Sequence, residues 1–457
     1  MLRIITLLAL IATPVWAETR IPTSQAEISM GFAPLVKQAA PAVVNIYARR
    51  IVQQQQSPFG NDPIFGQMFR DFGETRTRVQ NSLGSGVILS ADGIVVSNYH
   101  VVGQASEIRV VLNNRQEYEA SVLLGDEESD LAILKLHDAA DMPYLNLRPS
   151  DTVEVGELVL AIGNPFGVGQ TVSSGIVSGL ARSGTATGNA RGYFLQTDAP
   201  INPGNSGGAL IDINGQLIGV NTSILTRSGG SNGIGFAIPA DLVAQFMAQA
   251  QSGEARFQRP WAGVSGQSVD GDLSETLGLT APGGVVLTEL HSESPFRSAG
   301  MLPGDAILEV DGLAVNTPPE VLYRMSVRGI GKAADIAFAR GGEGRNAKVQ
   351  MIAPPDRPAR QAVTLDDRLP LQGLSVARAN PAVIAEYDLA IGIEGIVITD
   401  PGPNGARIGL QVGDVLVAVN GRAVEKTSDV PALLGRSGTT SIEALRGGRR
   451  VLFRFRG

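Results

Sequence analysis

Apolar positions in this chain fall mostly in short runs separated by Gly, Asn and Asp, the pattern of β-strands joined by tight turns. From Gly84 onward the runs are Gly86–Leu89, Gly93–Ser97, Glu107–Leu112, Ala120–Leu123, Leu131–Leu136, Glu157–Ile162, Thr171–Leu180, Phe194–Thr197, Leu217–Asn221 and Gly235–Ile238. Many short strands at close intervals predict a barrel or a sandwich. Upstream, Phe32, Leu35, Val36 and Ala39 keep helical spacing until Pro41 stops it, which predicts a helix of about two turns. Ala42–Tyr47 then reads as a strand. Ala240–Gln251 holds helical spacing throughout, with Gly253 just beyond, so a longer helix closes this domain.

The alternation collapses between Arg49 and Gln80, where a run of glutamines (Gln53–Gln56) precedes a stretch containing Phe59, Phe65, Phe69 and Phe72, four of the fourteen phenylalanines. A plain linker does not carry so much apolar surface. Residues 49–80 are therefore expected to form a mobile insert loop that docks either on a neighbouring subunit or loosely on its own domain.

Past the long helix the pattern repeats. Ser298–Gly312 matches Ala406–Gly421, and Gly304 and Gly413, like Gly312 and Gly421, lie 109 positions apart. Both copies end in an Asp-Gly or Asn-Gly hairpin turn. Two homologous units, 258–353 and 370–457, thus follow a first domain over 18–252. The segment between them, 354–369, opens on Pro354-Pro355-Asp356-Arg357-Pro358, just after Ala353, and reads as a stiff linker.

Composition narrows the class. A chain of 457 residues with 43% hydrophobic and 18% charged residues is an ordinary globular sequence of several domains. Its net charge of −7 argues against nucleic acid as a partner. A positive start, an apolar run over Ile4–Ala12 and small residues up to Ala17 predict a secretory signal over 1–17, cleaved after Ala17. The run is too short for a spanning helix, so no stable membrane anchor is expected. An exported chain without cysteine relies on its cores and not on disulfides, which suits the periplasm. With three histidines and no His-Glu-x-x-His spacing, neither a metal nor any other cofactor is expected.

Candidate chemistry lies in three stretches. Asn202–Gly208 encloses Ser206 in glycines, where the backbone can turn sharply and bring N–H groups close to a reactant. Ser97–Val102 puts His100 at the end of an apolar strand, and Asp126–Asp130 leads into the buried run Leu131–Leu134. Singly, each is commonly structural: a turn, a packed histidine, a capping carboxylate. Together they give base, orienter and nucleophile in the order His, Asp, Ser, as in chymotrypsin-like double barrels. Asp126 is the second choice of orienter, because it sits among polar residues while Asp130 abuts the apolar strand. His137 and Asp138 could mimic a dyad, but neighbours on a strand face opposite sides.

Asn98–Val102, Asp130–Lys135, Gly163-Asn164-Pro165-Phe166-Gly167 and Thr197-Asp198 before Asn202–Gly208 resemble the HtrA/DegP family of envelope serine proteases, and the resemblance runs through both repeats. It implies a mainly β architecture: a chymotrypsin-like double β-barrel protease domain followed by two α+β PDZ domains. It also implies that His100 is the general base, Asp130 orients it and Ser206 attacks the peptide carbonyl. Gly204 and Ser206, with Asn205 between them, would form the oxyanion hole, and Asp198 would anchor the loop. Ile201 would line the S1 pocket with Ile224, Leu225 and the loop up to Arg227; no acidic residue stands there, so small aliphatic P1 residues are expected.

The repeats resemble PDZ domains, which add a peptide as a strand at a sheet edge. Trp261, Ala262, Gly263 and Val264 take the carboxylate-loop position in the first, and Gln372, Gly373 and Leu374 in the second; the second serves either peptide capture or assembly alone. The expected function is a periplasmic serine endopeptidase that degrades unfolded or damaged envelope proteins, binds substrate C-termini and assembles as homotrimers or larger cages of trimers. The alternative is a chaperone-like PDZ scaffold with little proteolysis. A membrane-anchored signalling protease with one regulatory domain fits poorly with two repeats.

Overall fold

A computed structural model of the chain describes residues 31–56, 74–164, 169–183, 193–202, 204–224, 233–434 and 439–456. The expected signal segment, the four phenylalanines of the insert and Leu225 lie outside the described residues.

The first strands curl into a closed antiparallel barrel. Val43–Gln56 pairs with Glu74–Ile88, which pairs in turn with Ile94–Ser97, Leu131–Leu136, Glu117–Asp126 and Glu107–Val111, and the last returns to the first. A second barrel closes through Ala209–Asp212, Leu217–Ile224, Gly235–Pro239, Tyr193–Thr197, Thr171–Ser183 and Leu158–Gly163. This is the double barrel the sequence led us to expect.

Side-chain alternation explains how the barrels meet. Val44, Ile46, Ile88, Val95, Ala132 and Leu134 fill the first barrel. Their neighbours Val43, Val87, Ile94, Val96, Leu131 and Ile133 point the other way, into a layer shared with Leu160, Ile162, Ala209, Ile211 and Val220 of the second. Ile94–Ser97 is consequently buried at every position, and Ile94-Val95-Val96 reads as a continuous apolar run. Each Val or Ile so buried contributes about 1.5–3 kcal/mol. The helix Ala240–Gln251 adds Leu242, Val243 and Phe246 to that layer, and Phe246 stacks on Phe257 with ring centroids 4.0 Å apart.

Two expectations change. The ladder between the first two strands runs on through Arg49↔Asn81 to Gln56↔Glu74, so 49–56 and 74–80 are paired strand where a loop was expected. The pairing is a backbone ladder, and the run Gln53–Gln56 within it carries no alternation of apolar and polar positions. Residues 354–369 are likewise more than a linker, because Val363–Thr364 joins the sheet of the second repeat.

Each repeat has its own sheet and core. The recurring Gly-Asp has a physical cause: Asp305 and Asp414, both 1% exposed, each accept two hydrogen bonds from one arginine. Arg340 spans Asp305 at 2.6 and 2.7 Å and reaches the Gly300 carbonyl, and Arg446 does the same with Asp414 at 2.7 and 2.6 Å and with Gly409. The bidentate fork fixes the turn to its sheet. The first repeat also docks on the barrels through Pro318–Arg328: Tyr323 stacks on Tyr193 at 3.8 Å, and Arg324 pairs with Asp151.

Asp305→Ala is expected to lower the urea midpoint of the unfolding transition reported by Trp261, whereas Asp414→Ala leaves that transition in place and destabilises only the second repeat.

Candidate active site

The end of Ile94–Ser97 turns at once into a one-turn helix, Tyr99–Val102. His100 therefore sits in a helical turn and not at the strand end expected from the sequence. The turn is tied to Asp130: the Tyr99 N–H and the Asn98 side-chain amide both donate to its carbonyl, at 3.1 and 2.9 Å. Asp130 itself lies at φ 51°, a backbone region that non-glycine residues rarely occupy. That conformation aims the carboxylate back at the helix.

The carboxylate is a hub of donors. The His100 backbone N–H reaches Oδ1 at 3.0 Å, His100 Nδ1 lies 2.9 Å from each oxygen, and the Thr222 hydroxyl donates to Oδ2 at 2.7 Å. An ionised carboxylate only accepts, so Nδ1 carries the proton in the neutral ring and the Nε2 lone pair is left for a substrate proton. His100 is exposed, while Thr222 is buried.

The loop that carries Ser206 is locked from behind. Gly204 and Gly207 have φ of 97° and 83°, and a Cβ on Gly207 would stand 2.1 Å from the Ser85 carbonyl, so only glycine serves there. Ser85 clamps the loop: its N–H donates to the Ser206 carbonyl at 2.9 Å and its hydroxyl to the Gly204 carbonyl at 2.6 Å, while Asn164 N–H donates to that same hydroxyl. Asn205 is buried, its N–H is spent on the Asn202 carbonyl at 2.9 Å and its Oδ1 accepts from Thr171. Among the described residues the N–H groups of Gly204 and Ser206 have no backbone acceptor. The half-buried Ser206 hydroxyl donates to the Thr222 carbonyl at 2.9 Å. A cleft of about 810 Å³ opens beside His100, bordered by Ala48, Arg50, Asn81, Gln104 and Glu127.

A trypsin-like peptidase domain family matches residues 84–220, and PDZ domain families match 260–351 and 399–443. A probable periplasmic serine endoprotease, DegP-like, of Halomonas elongata is 37% identical over 426 residues, covering 88% of each chain. Its counterpart in Pseudomonas fulva is 36% identical, covering 93% of each. The chain belongs to the HtrA/DegP family of serine endoproteases. Among solved structures, the HtrA-type protease AlgW with a tripeptide superposes with a TM-score of 0.54 at 37% identity, over 72% of this chain and 99% of that one. AlgW with a decapeptide gives 0.53 at 37% identity, over 71% and 99%.

Within this HtrA/DegP protease the remaining residues fall out unevenly. Ile201, 1% exposed, packs in the core of the second barrel against the site of Gly235, so it is a core residue and not the open wall of a pocket. Ile224 ends the strand Leu217–Ile224, opposite Gly235. Asp126 is no orienter: Arg259, from the lead-in to the first PDZ domain, grips it with both terminal nitrogens. His137 bonds Ser121 at 3.2 Å, and Asp198 accepts from the Ile176 N–H at 2.7 Å as a loop anchor.

Trp261, Ala262, Gly263 and Val264 of the first PDZ domain line a cleft with Leu322 and Ser326 of Pro318–Arg328, and the same cleft is bordered by Asp126 and Tyr193 of the protease domain and by Ile384 and Leu389 of the second repeat. In the second, the Gly373 and Leu374 N–H groups already bond the Leu365 and Leu371 carbonyls, each at 3.0 Å, and Gln372 is exposed. Thr222 and Ser85 were missed by sequence reasoning, since no local pattern marks a residue whose role is to reach a distant loop. Among the described residues no helix is long and apolar enough to cross a membrane, and no His/Asp/Glu group could hold a metal ion.

Thr222→Val removes the donor to Asp130 but keeps the carbonyl facing Ser206; a kcat loss of about 10–100-fold with KM little changed is expected in steady-state peptide hydrolysis. Asp130→Asn is expected to cost about 10⁴ in kcat.

Proposed function

We propose that His100, Asp130 and Ser206 form the catalytic triad of a periplasmic endopeptidase that cleaves unfolded or damaged envelope proteins. The single observation that carries this reading is His100 Nδ1 lying 2.9 Å from both oxygens of Asp130, the contact that leaves Nε2 as the ring nitrogen to receive a proton. In the reaction the Ser206 hydroxyl leaves the Thr222 carbonyl, gives its proton to Nε2 and attacks the scissile carbonyl. The oxygen that becomes negative takes hydrogen bonds from the Gly204 and Ser206 N–H groups, each such donor being worth about 10²–10³ in kcat. His100 then protonates the leaving amine, and water repeats the sequence on the acyl-enzyme. Asn205 supports the loop through Thr171 and is not itself a donor.

The cleft beside His100 takes the chain on the leaving-group side. On the acyl side, Ile224 and its following loop select small aliphatic residues, with Ile201 shaping the barrel beneath and no acidic group to favour Lys or Arg. The first PDZ domain binds substrate C-termini as an added strand on Val264–Ser268. The chain is exported with residues 1–17 removed and works as a homotrimer or an assembly of trimers to which the Phe-rich insert contributes.

Fluorophosphonate is expected to label the intact protein at Ser206 and to leave Ser206→Ala unlabelled, with casein cleavage lost and casein binding kept; undiminished cleavage by the variant overturns the triad. N-terminal sequencing of periplasmic material is expected to read from Glu18, and a start at Met1 contradicts export with cleavage.

A further inference from the structure

The two PDZ sheets follow one strand order with one difference. In the first, Val264–Ser268 is an edge strand that pairs, among the described residues, on one side only, with Val285–Leu290. In the second, the corresponding Ser375–Arg378 pairs with Ile396–Asp400 on one side and with Val363–Thr364 on the other. The extra strand is antiparallel, with Val363 opposite Val376 and Thr364 opposite Ser375.

The ladder extends beyond those two residues. At one end the Leu365 N–H donates to the Leu374 carbonyl at 2.9 Å and the Gly373 N–H to the Leu365 carbonyl at 3.0 Å. At the other, Arg378 N–H reaches the Arg360 carbonyl at 2.7 Å, and the Asn380 amide holds the Pro358 carbonyl at 2.7 Å. The Thr364 and Ser375 hydroxyls bond at 2.8 Å. Thr364 is exposed, whereas Leu365 is 3% exposed and packs in one cluster with Leu371 and Leu374 of the loop and with Val430 and Leu434 of the helix Asp429–Leu434.

A PDZ ligand lies antiparallel on this edge, buries its last side chain and hands its terminal carboxylate to loop N–H groups. We infer that Val363–Thr364–Leu365 is an internal ligand of the second PDZ domain: Leu365 buries the terminal side chain, and its carbonyl takes the Gly373 N–H that a carboxylate would take. A strand that merely shields an edge from aggregation needs only backbone bonds. Here the loop donor and the apolar site are filled as well. The second domain therefore admits a free peptide of the same chemistry, an extended segment ending in Leu or a similar aliphatic residue, only when its own segment leaves. Being tethered, that segment competes at high effective concentration, and the apparent affinity for a free peptide falls with the fraction of open grooves. The inference rests on the proposed reading that these domains capture peptides.

The test uses the full chain carrying Ser206→Ala and a benzophenone-labelled peptide with a free carboxylate, copying residues 360–365. Mass spectrometry of the unmodified groove is expected to find crosslinks at 261–265 and few at 371–376, and Leu365→Asp to raise those at 371–376 by about tenfold or more. Crosslinks at 371–376 that are as strong before the change as after it overturn the proposal. Hydrogen exchange on the chain with Leu365 intact decides it independently: slow exchange at the Leu365, Gly373 and Arg378 amides supports the internal ligand, and loop-like exchange at Leu365 overturns it. If Leu365→Asp unfolds the domain, seen as lost protection over Thr439–Arg446, the milder Leu365→Ala takes its place. Protected amides with no crosslinks at either domain uphold the internal ligand and sink peptide capture instead.

Discussion

The Thr222 hydroxyl and the Asp130 carboxylate belong to different barrels, and the 2.7 Å bond between them crosses the seam on which the site is built. Ser85 crosses the same seam in the other direction, from the first barrel to the Ser206 and Gly204 carbonyls. Such bonds hold their geometry only if the barrels cannot slide. The shared layer of Val43, Val96, Ile133, Ile162, Ile211 and Val220 prevents that, being close-packed and fully buried. Rigid hydrophobic packing thus fixes the distance between His100 and Asp130, carried by one barrel, and Ser206, carried by the other.

Contacts continue from the site to the first PDZ domain. Asp126 accepts the Ser129 N–H at 2.7 Å within the turn that presents Asp130, and Arg259 holds it from outside. Pro318–Arg328, whose Leu322 and Ser326 border the cleft beside Trp261–Val264, presents Tyr323 and Arg324 to Tyr193 and Asp151 on the barrels. Burial raises the Tyr323 phenol well above its ordinary value, a sign of how completely that contact excludes water. Groove helix and barrel form one contiguous packed unit.

The two repeats show how one motif takes two forms. Both keep the buried Asp, its bidentate Arg and the aromatic ring beneath the guanidinium, Phe338 in one and Phe453 in the other. They differ in what precedes the first long strand of each sheet, Val264–Ser268 in one and Ser375–Arg378 in the other. Ahead of the first, the chain arrives through Arg259 and is tied to the protease domain; ahead of the second, a longer connection folds back along the edge strand.

The sequence by itself determined most strands of the two barrels, the closing helix, the duplicated Gly-Asp units and the order of His100, Asp130 and Ser206, because burial alternation, turn glycines and repeats are local records of local physics. Tertiary structure alone decided that Thr222 and Ser85 serve the site, across separations of 92 and 119 residues. It decided too that Ile201 fills a core and that Asp126 faces an arginine. Residues 49–56 and 74–80 pair through backbone groups that every residue possesses, so no side-chain pattern announces them. Leu365 reads as an ordinary linker leucine until a neighbouring strand edge, a loop N–H and a helix meet around it. A chain states which residues prefer to be buried or to turn; which partners they meet there is settled by how the completed elements pack.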